Sequence, residues 1–115
     1  MTVRRVVPDI NTLYPEATRD FYVDLLGFEV VMDLGWVVTY ASPSNPTAQV
    51  TVTQSDTPEP RPAMSIEVSD VDAVHSGAVR RGDDIVYPLT DEAWGVRRFF
   101  VRDPNGTVVN VLEHR

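Results

Sequence analysis

The chain has 115 residues, 43% of them hydrophobic and 23% charged, and a formal net charge of −7. That is one domain's worth of chain, with enough apolar surface for a core that needs no metal or disulfide staples. There is no cysteine, and every basic residue is an arginine. Thiol nucleophiles, Cys-ligated zinc, iron–sulfur centres, Schiff-base lysines and Walker-type phosphate loops are therefore excluded. The acidic balance also argues against a nucleic-acid partner.

Alternation over Val3–Asn11 predicts a first strand. Pro15 suits the first turn of a helix whose apolar face is Ala17, Phe21 and Leu25 with Tyr22 and Leu26, ending at Gly27. Strands are expected over Phe28–Asp33 and Trp36–Ala41, then a turn over Ser42–Pro46 and a half-buried strand over Gln49–Thr53. The prolines at 58, 60 and 62 make Thr57–Pro62 an extended linker.

The order then repeats. Met64, Ile66 and Val68 alternate with polar residues and predict a strand. Ser69-Asp70-Val71-Asp72 reads as a cap opening a helix that Gly82 ends. A short strand over Ile85–Pro88, a loop over Thr90–Gly95 and strands over Val96–Arg102 and Thr107–Glu113 follow, the last two joined by Asp103-Pro104-Asn105-Gly106. Gly35 and Gly95, and likewise Pro43 and Pro104, hold equivalent places in the two halves. The expected fold is α+β: a single domain of two βαβββ modules, about 1–56 and 63–115, with a cleft between curved mixed sheets. No apolar run approaches a signal peptide or membrane span, so a cytoplasmic protein with no membrane partner is expected.

The side-chain parity of the strands selects candidate site residues. Glu67, Arg98, Phe100 and Asn110 fall opposite the apolar sides of their strands, as does Asp9 on the first strand. Asp9 and Glu67 offer either an acid–base pair or an oxygen site for a hard cation, or else an Arg–carboxylate pair with Arg98 that orders the cleft floor; the last is preferred. Trp36, Tyr40 and Trp94 flank the same region, Trp94 within the loop Asp91–Gly95. His75 reads as a partly exposed helix residue and His114 as a solvated terminus, so no nucleophilic triad is supported.

Three segments resemble one family: Phe21-Tyr22-Val23-Asp24-Leu25-Leu26-Gly27-Phe28, Glu67-Val68-Ser69-Asp70-Val71-Asp72-Ala73 and Asp103-Pro104-Asn105-Gly106. They are similar to signatures of the vicinal oxygen chelate superfamily of glyoxalases, bleomycin-resistance proteins and extradiol dioxygenases. The resemblance implies a homodimer. It implies a divalent-metal site at positions that fall here on Val7, Ala63, Asn110 and either Gln49 or Thr51. Val7 and Ala63 carry no donor, so the expectation is no metal and no cofactor. The chain then looks like the bleomycin-resistance branch, binding a small organic ligand that is aromatic and neutral or cationic. The alternative is an enzyme of the superfamily (isomerase, lyase or dioxygenase) with an atypical site.

Overall fold

The computed structural model describes all 115 residues, Met1–Arg115. The first run is β1 (Val3–Thr12), α1 (Pro15–Arg19), β2 (Glu29–Asp33), β3 (Val37–Ser42) and β4 (Asn45–Gln54). The second is β5 (Met64–Val68), α2 (Val71–Arg81), β6 (Ile85–Asp91), β7 (Val96–Arg102) and β8 (Val108–His114). This is the βαβββ duplication expected from the repeat. The chain forms two compact units: Val7–Glu59, and Met1–Val6 together with Pro60–Arg115.

In the Val7–Glu59 unit the strand order is β2-β3-β4-β1, with β1 parallel to β4 and the other pairs antiparallel. Pro15 opens α1 as expected, but the helix does not continue regularly. Asp20–Leu25 winds as a wider π-helix, with the Leu26 amide donating to the Phe21 carbonyl. Positions four apart stay close together on the wider helix, so Phe21 and Leu25 keep a common side. Phe21, Leu25 and Leu26, expected to be buried, are exposed. Tyr22 makes the contact with the sheet instead: it stacks on Tyr40 at 5.4 Å and meets Phe28 edge-on at 5.9 Å.

Three prolines lie inside strands: Pro8 in β1, where the sequence pattern also has a strand, and Pro46 and Pro88, which it puts in a turn and at a strand end. Pro46 is in the first part of β4, where the register with β3 breaks between Ala41 and Ser42. Pro88 is in β6, an edge strand, where the register shifts between Tyr87 and Thr90. Proline is tolerated at such irregular or edge positions, which is why both strands outrun their expected limits.

The other unit has strand order β5-β8-β7-β6, with β5 parallel to β8. Asp70 caps α2, its Oδ1 accepting from the Ala73 amide at 3.1 Å, and Gly82 ends it in the left-handed conformation at φ 78°. One side of this sheet packs on α2 through Val68, Val71, Ala78, Phe99, Val109 and Val111, with Met64, Ile66 and Val101 against them. His75 lies in α2, half-buried as expected, with its ring edge-on to Phe99 at 5.0 Å. Asp103 closes the β7–β8 turn, its Oδ1 accepting from the amides of Asn105 and Thr107.

Candidate functional site

Because Phe99, Val101, Val109 and Val111 face α2, the residues between them face the other way. The register sets Phe100 opposite Asn110, Arg98 opposite Leu112, and Ser65 beside Asn110. Glu67, Arg98, Phe100 and Asn110 thus share one face, as parity predicts. Tyr87 joins them from β6, opposite Phe100.

Arg98 is the centre of this face. Its Nη2 lies 2.8 Å from Glu92 Oε2, with side chains only 18% and 11% exposed. Its guanidinium carbon stands 4.8 Å from the Phe100 ring centroid, 5.0 Å from Trp94 and 5.3 Å from Tyr87. Tyr87 and Phe100 stack at 4.6 Å, and the Tyr87 hydroxyl donates to Glu92 at 3.1 Å. The result is a cation among three aromatic faces, neutralised by one buried carboxylate.

Glu67 has different partners from the one expected. Its Oε1 accepts from Arg5 Nε at 2.6 Å, and its Oε2 is 2.9 Å from His114 Nδ1. Burial pushes its pKa up, but the His114 hydrogen bond and the Arg5 charge outweigh that and hold the carboxyl below its ordinary value. The preferred Arg98–carboxylate pair therefore does exist, but with Glu92, and Glu67 belongs to Arg5 and His114. Arg5, Tyr87, Glu92 and His114 are functional candidates that sequence reasoning misses. By sequence alone Glu92 reads as a solvated loop acid and His114 as part of a solvated terminus.

Asn110 is 6% exposed and donates from Nδ2 to Ser65 Oγ at 2.9 Å. Its Oδ1 is buried without a partner, and so is Arg98 Nε.

In the Val7–Glu59 unit, Asp9 pairs across from Thr51, whose hydroxyl meets that of Thr39 at 2.9 Å. Trp36 is 38% exposed just before β3, its carbonyl accepting from the Gln54 amide. Tyr40 is a correction: it is 2% exposed and stacked under Tyr22, on the side of β3 that the helix covers, so it is core rather than a ligand contact.

Residues 5–111 match the Glyoxalase/Bleomycin resistance protein/Dioxygenase superfamily. The chain belongs to that superfamily. A superfamily member from Vibrio splendidus 12B01 is similar at 21% identity, with a TM-score of 0.76 and coverage of 97% of this chain and 99% of that one. A methylmalonyl-CoA epimerase variant of Streptomyces coelicolor, in complex with 2-nitronate-propionyl-CoA, is 17% identical, with a TM-score of 0.67 and coverage of 97% and 96%. The Mn(II)-bound glyoxalase of Novosphingobium aromaticivorans is 19% identical, with a TM-score of 0.66 over 96% of this chain and 38% of that one. At these identities the likeness concerns the fold. None of the curated proteins matches the sequence.

The metal that the superfamily implies does not fit the residues at its expected positions. Val7 is a buried hydrocarbon, and Ala63 contributes only a backbone amide, which donates to the Val108 carbonyl. Asn110 offers one neutral oxygen, a weak donor for a transition metal. Gln49 donates to the Pro46 carbonyl, and Thr51 shares its hydroxyl with Thr39. Within either unit, no three His, Cys, Asp or Glu side chains gather to hold an ion.

Proposed function

We propose that this superfamily member is a metal-independent small-molecule-binding protein, similar in role to the drug-sequestering bleomycin-resistance proteins. Its ligand is a flat organic molecule, aromatic and neutral or cationic, held on the face that carries Arg98. The single observation behind this reading is the Arg98 cluster. Three rings and a neutralised ion pair give a stacking surface with little net charge. Trp94 is the outermost ring, 39% exposed, and is the expected stacking partner. Trp36 and Asp9, on the Val7–Glu59 unit, are proposed separately as ligand contacts of that unit.

Titration of the protein with planar aromatics, cationic glycopeptides and anionic metabolites, read by tryptophan emission, tests the reading. Planar or cationic compounds should quench, and Trp94→Ala should weaken binding by about 1–3 kcal/mol. Preference for phosphorylated or polycarboxylate compounds, indifferent to Trp94, would refute it.

A second reading, an isomerase, lyase or dioxygenase with an atypical site, draws on the Glu67–His114 hydrogen bond. An imidazole oriented by a carboxylate is a competent proton acceptor. Loss of a turnover activity in His114→Ala with ligand affinity unchanged would promote it.

The assembly proposed is a homodimer, supported by the exposure of Leu13, Tyr14, Phe21, Leu25 and Leu26 on the Val7–Glu59 unit. A monomer mass by light scattering at tens of micromolar would overturn this. No helix is long and apolar enough to cross a membrane. Cytoplasmic residence is part of the same proposal.

A further inference from the structure

The unpartnered atoms of the Arg98 face carry the binding proposal further, to the chemistry of its ligand. Arg98 Nε is a donor and Asn110 Oδ1 an acceptor; both are buried and neither has a hydrogen-bond partner. Arg98 Nη2 is already committed to Glu92, and Asn110 Nδ2 to Ser65. Buried polar groups are costly when left unpaired, and a native sheet holds few of them. Here one donor and one acceptor lie on the same side of the same sheet.

Their placement makes them a pair. Arg98 is opposite Leu112 and Phe100 is opposite Asn110, so Arg98 and Asn110 are diagonal neighbours on adjacent strands. The guanidinium of Arg98 lies over the Phe100 ring, which carries it toward the level of Asn110. A single hydrogen-bonding edge with an acceptor beside a donor can serve both atoms.

Charge narrows the choice. Glu92 already neutralises Arg98 and is itself 11% exposed. An anionic ligand would have to compete with that buried carboxylate, and a cationic one would meet the guanidinium.

We infer, resting on the binding role proposed above, that the ligand is an uncharged planar molecule carrying a carbonyl next to an N–H or O–H. Aromatic carboxamides and lactams have this edge. The ligand carbonyl accepts from Arg98 Nε, its N–H or O–H donates to Asn110 Oδ1, and its ring stacks against Trp94.

Four naphthalene probes test this by calorimetry on the full chain. Naphthalene-2-carboxamide presents donor and acceptor, 2-acetylnaphthalene the acceptor only, 2-naphthoate a negative charge and 2-naphthylmethylammonium a positive one. The carboxamide should bind tightest, about 2–10-fold better than the ketone, the size of one added hydrogen bond. Asn110→Leu should reduce that preference to less than about twofold, whereas Asn110→Asp, which keeps an acceptor, should retain a preference for the carboxamide. If either variant fails to fold, the ranking of the four probes on the unaltered protein decides. Tighter binding of either charged probe, or equal binding of ketone and carboxamide, overturns the inference and leaves the binding role standing. Failure of all four to bind overturns both.

Discussion

Removing Glu92 is the sharpest test of how the candidate site is built. Its carboxylate neutralises Arg98 at 2.8 Å, and it also accepts from the Tyr87 hydroxyl. Breaking a buried ion pair from one side typically costs about 3–5 kcal/mol. Here Arg98 keeps 18% of its side-chain exposure and three aromatic faces, which together soften the loss. Glu92→Ala should therefore destabilise the fold by about 2–3 kcal/mol. For a chain of this size that lowers the melting temperature by roughly 8–12 °C. Urea unfolding followed by far-ultraviolet circular dichroism gives the free energy directly. Replacing the whole cluster with apolar residues of similar volume should behave differently. Tyr87→Phe, Glu92→Leu and Arg98→Met combined should fall within about 1 kcal/mol of the unaltered protein, because no charge is left stranded. That triple variant should nonetheless lose ligand binding. If Glu92→Ala costs under about 1 kcal/mol, or if the triple variant is as unstable as the single one, Arg98 does not depend on Glu92 for its place.

Glu67 has its carboxyl held below the ordinary value near 4.5 by the His114 hydrogen bond and the Arg5 charge against the cost of burial, so it adds stability above that pH and loses it as pH falls through the lower folded value. The melting-temperature gap between the unaltered protein and Glu67→Gln should accordingly be widest near neutrality and shrink in acid; a gap constant from neutral pH to about pH 3 would show that the Arg5–Glu67–His114 group contributes nothing. Asp70→Ala removes the cap that accepts from the Ala73 amide and should cost about 1 kcal/mol in urea unfolding, with Asp70→Asn recovering most of it. Phe99→Ala empties a fully buried site under α2 and should cost about 3–5 kcal/mol; a loss below about 1.5 kcal/mol would mean that the α2 core is not as packed as its burial indicates. Dialysis against a chelator should leave both melting temperature and ligand affinity unchanged, and one equivalent of zinc, nickel, iron or manganese by elemental analysis would contradict the metal-free reading.

Much of the architecture is legible without coordinates because it is encoded locally. Asp70 caps α2 and Gly82 ends it; these are decisions of a few adjacent residues. Strand parity is equally local. Alternation in Met64–Val68 and Val96–Arg102 is enough to put Glu67, Arg98 and Phe100 opposite the helix-facing side. Other features depend on which strand lies beside which. Glu67 finds Arg5, 62 residues away, and His114, 47 residues away, through strand order that alternation does not encode. Glu92 reaches Arg98 because the β6–β7 turn folds an acid from a loop back over an edge strand. Tyr40 can be read as core or as ligand contact until the helix shows which side of β3 it covers. Even the most regular helical pattern in the sequence presents Phe21, Leu25 and Leu26 outward rather than to the core. Periodicity says which residues share a face; only the tertiary fold says what that face meets, because a side chain's partner is chosen by the packing of distant segments and not by its neighbours in the chain.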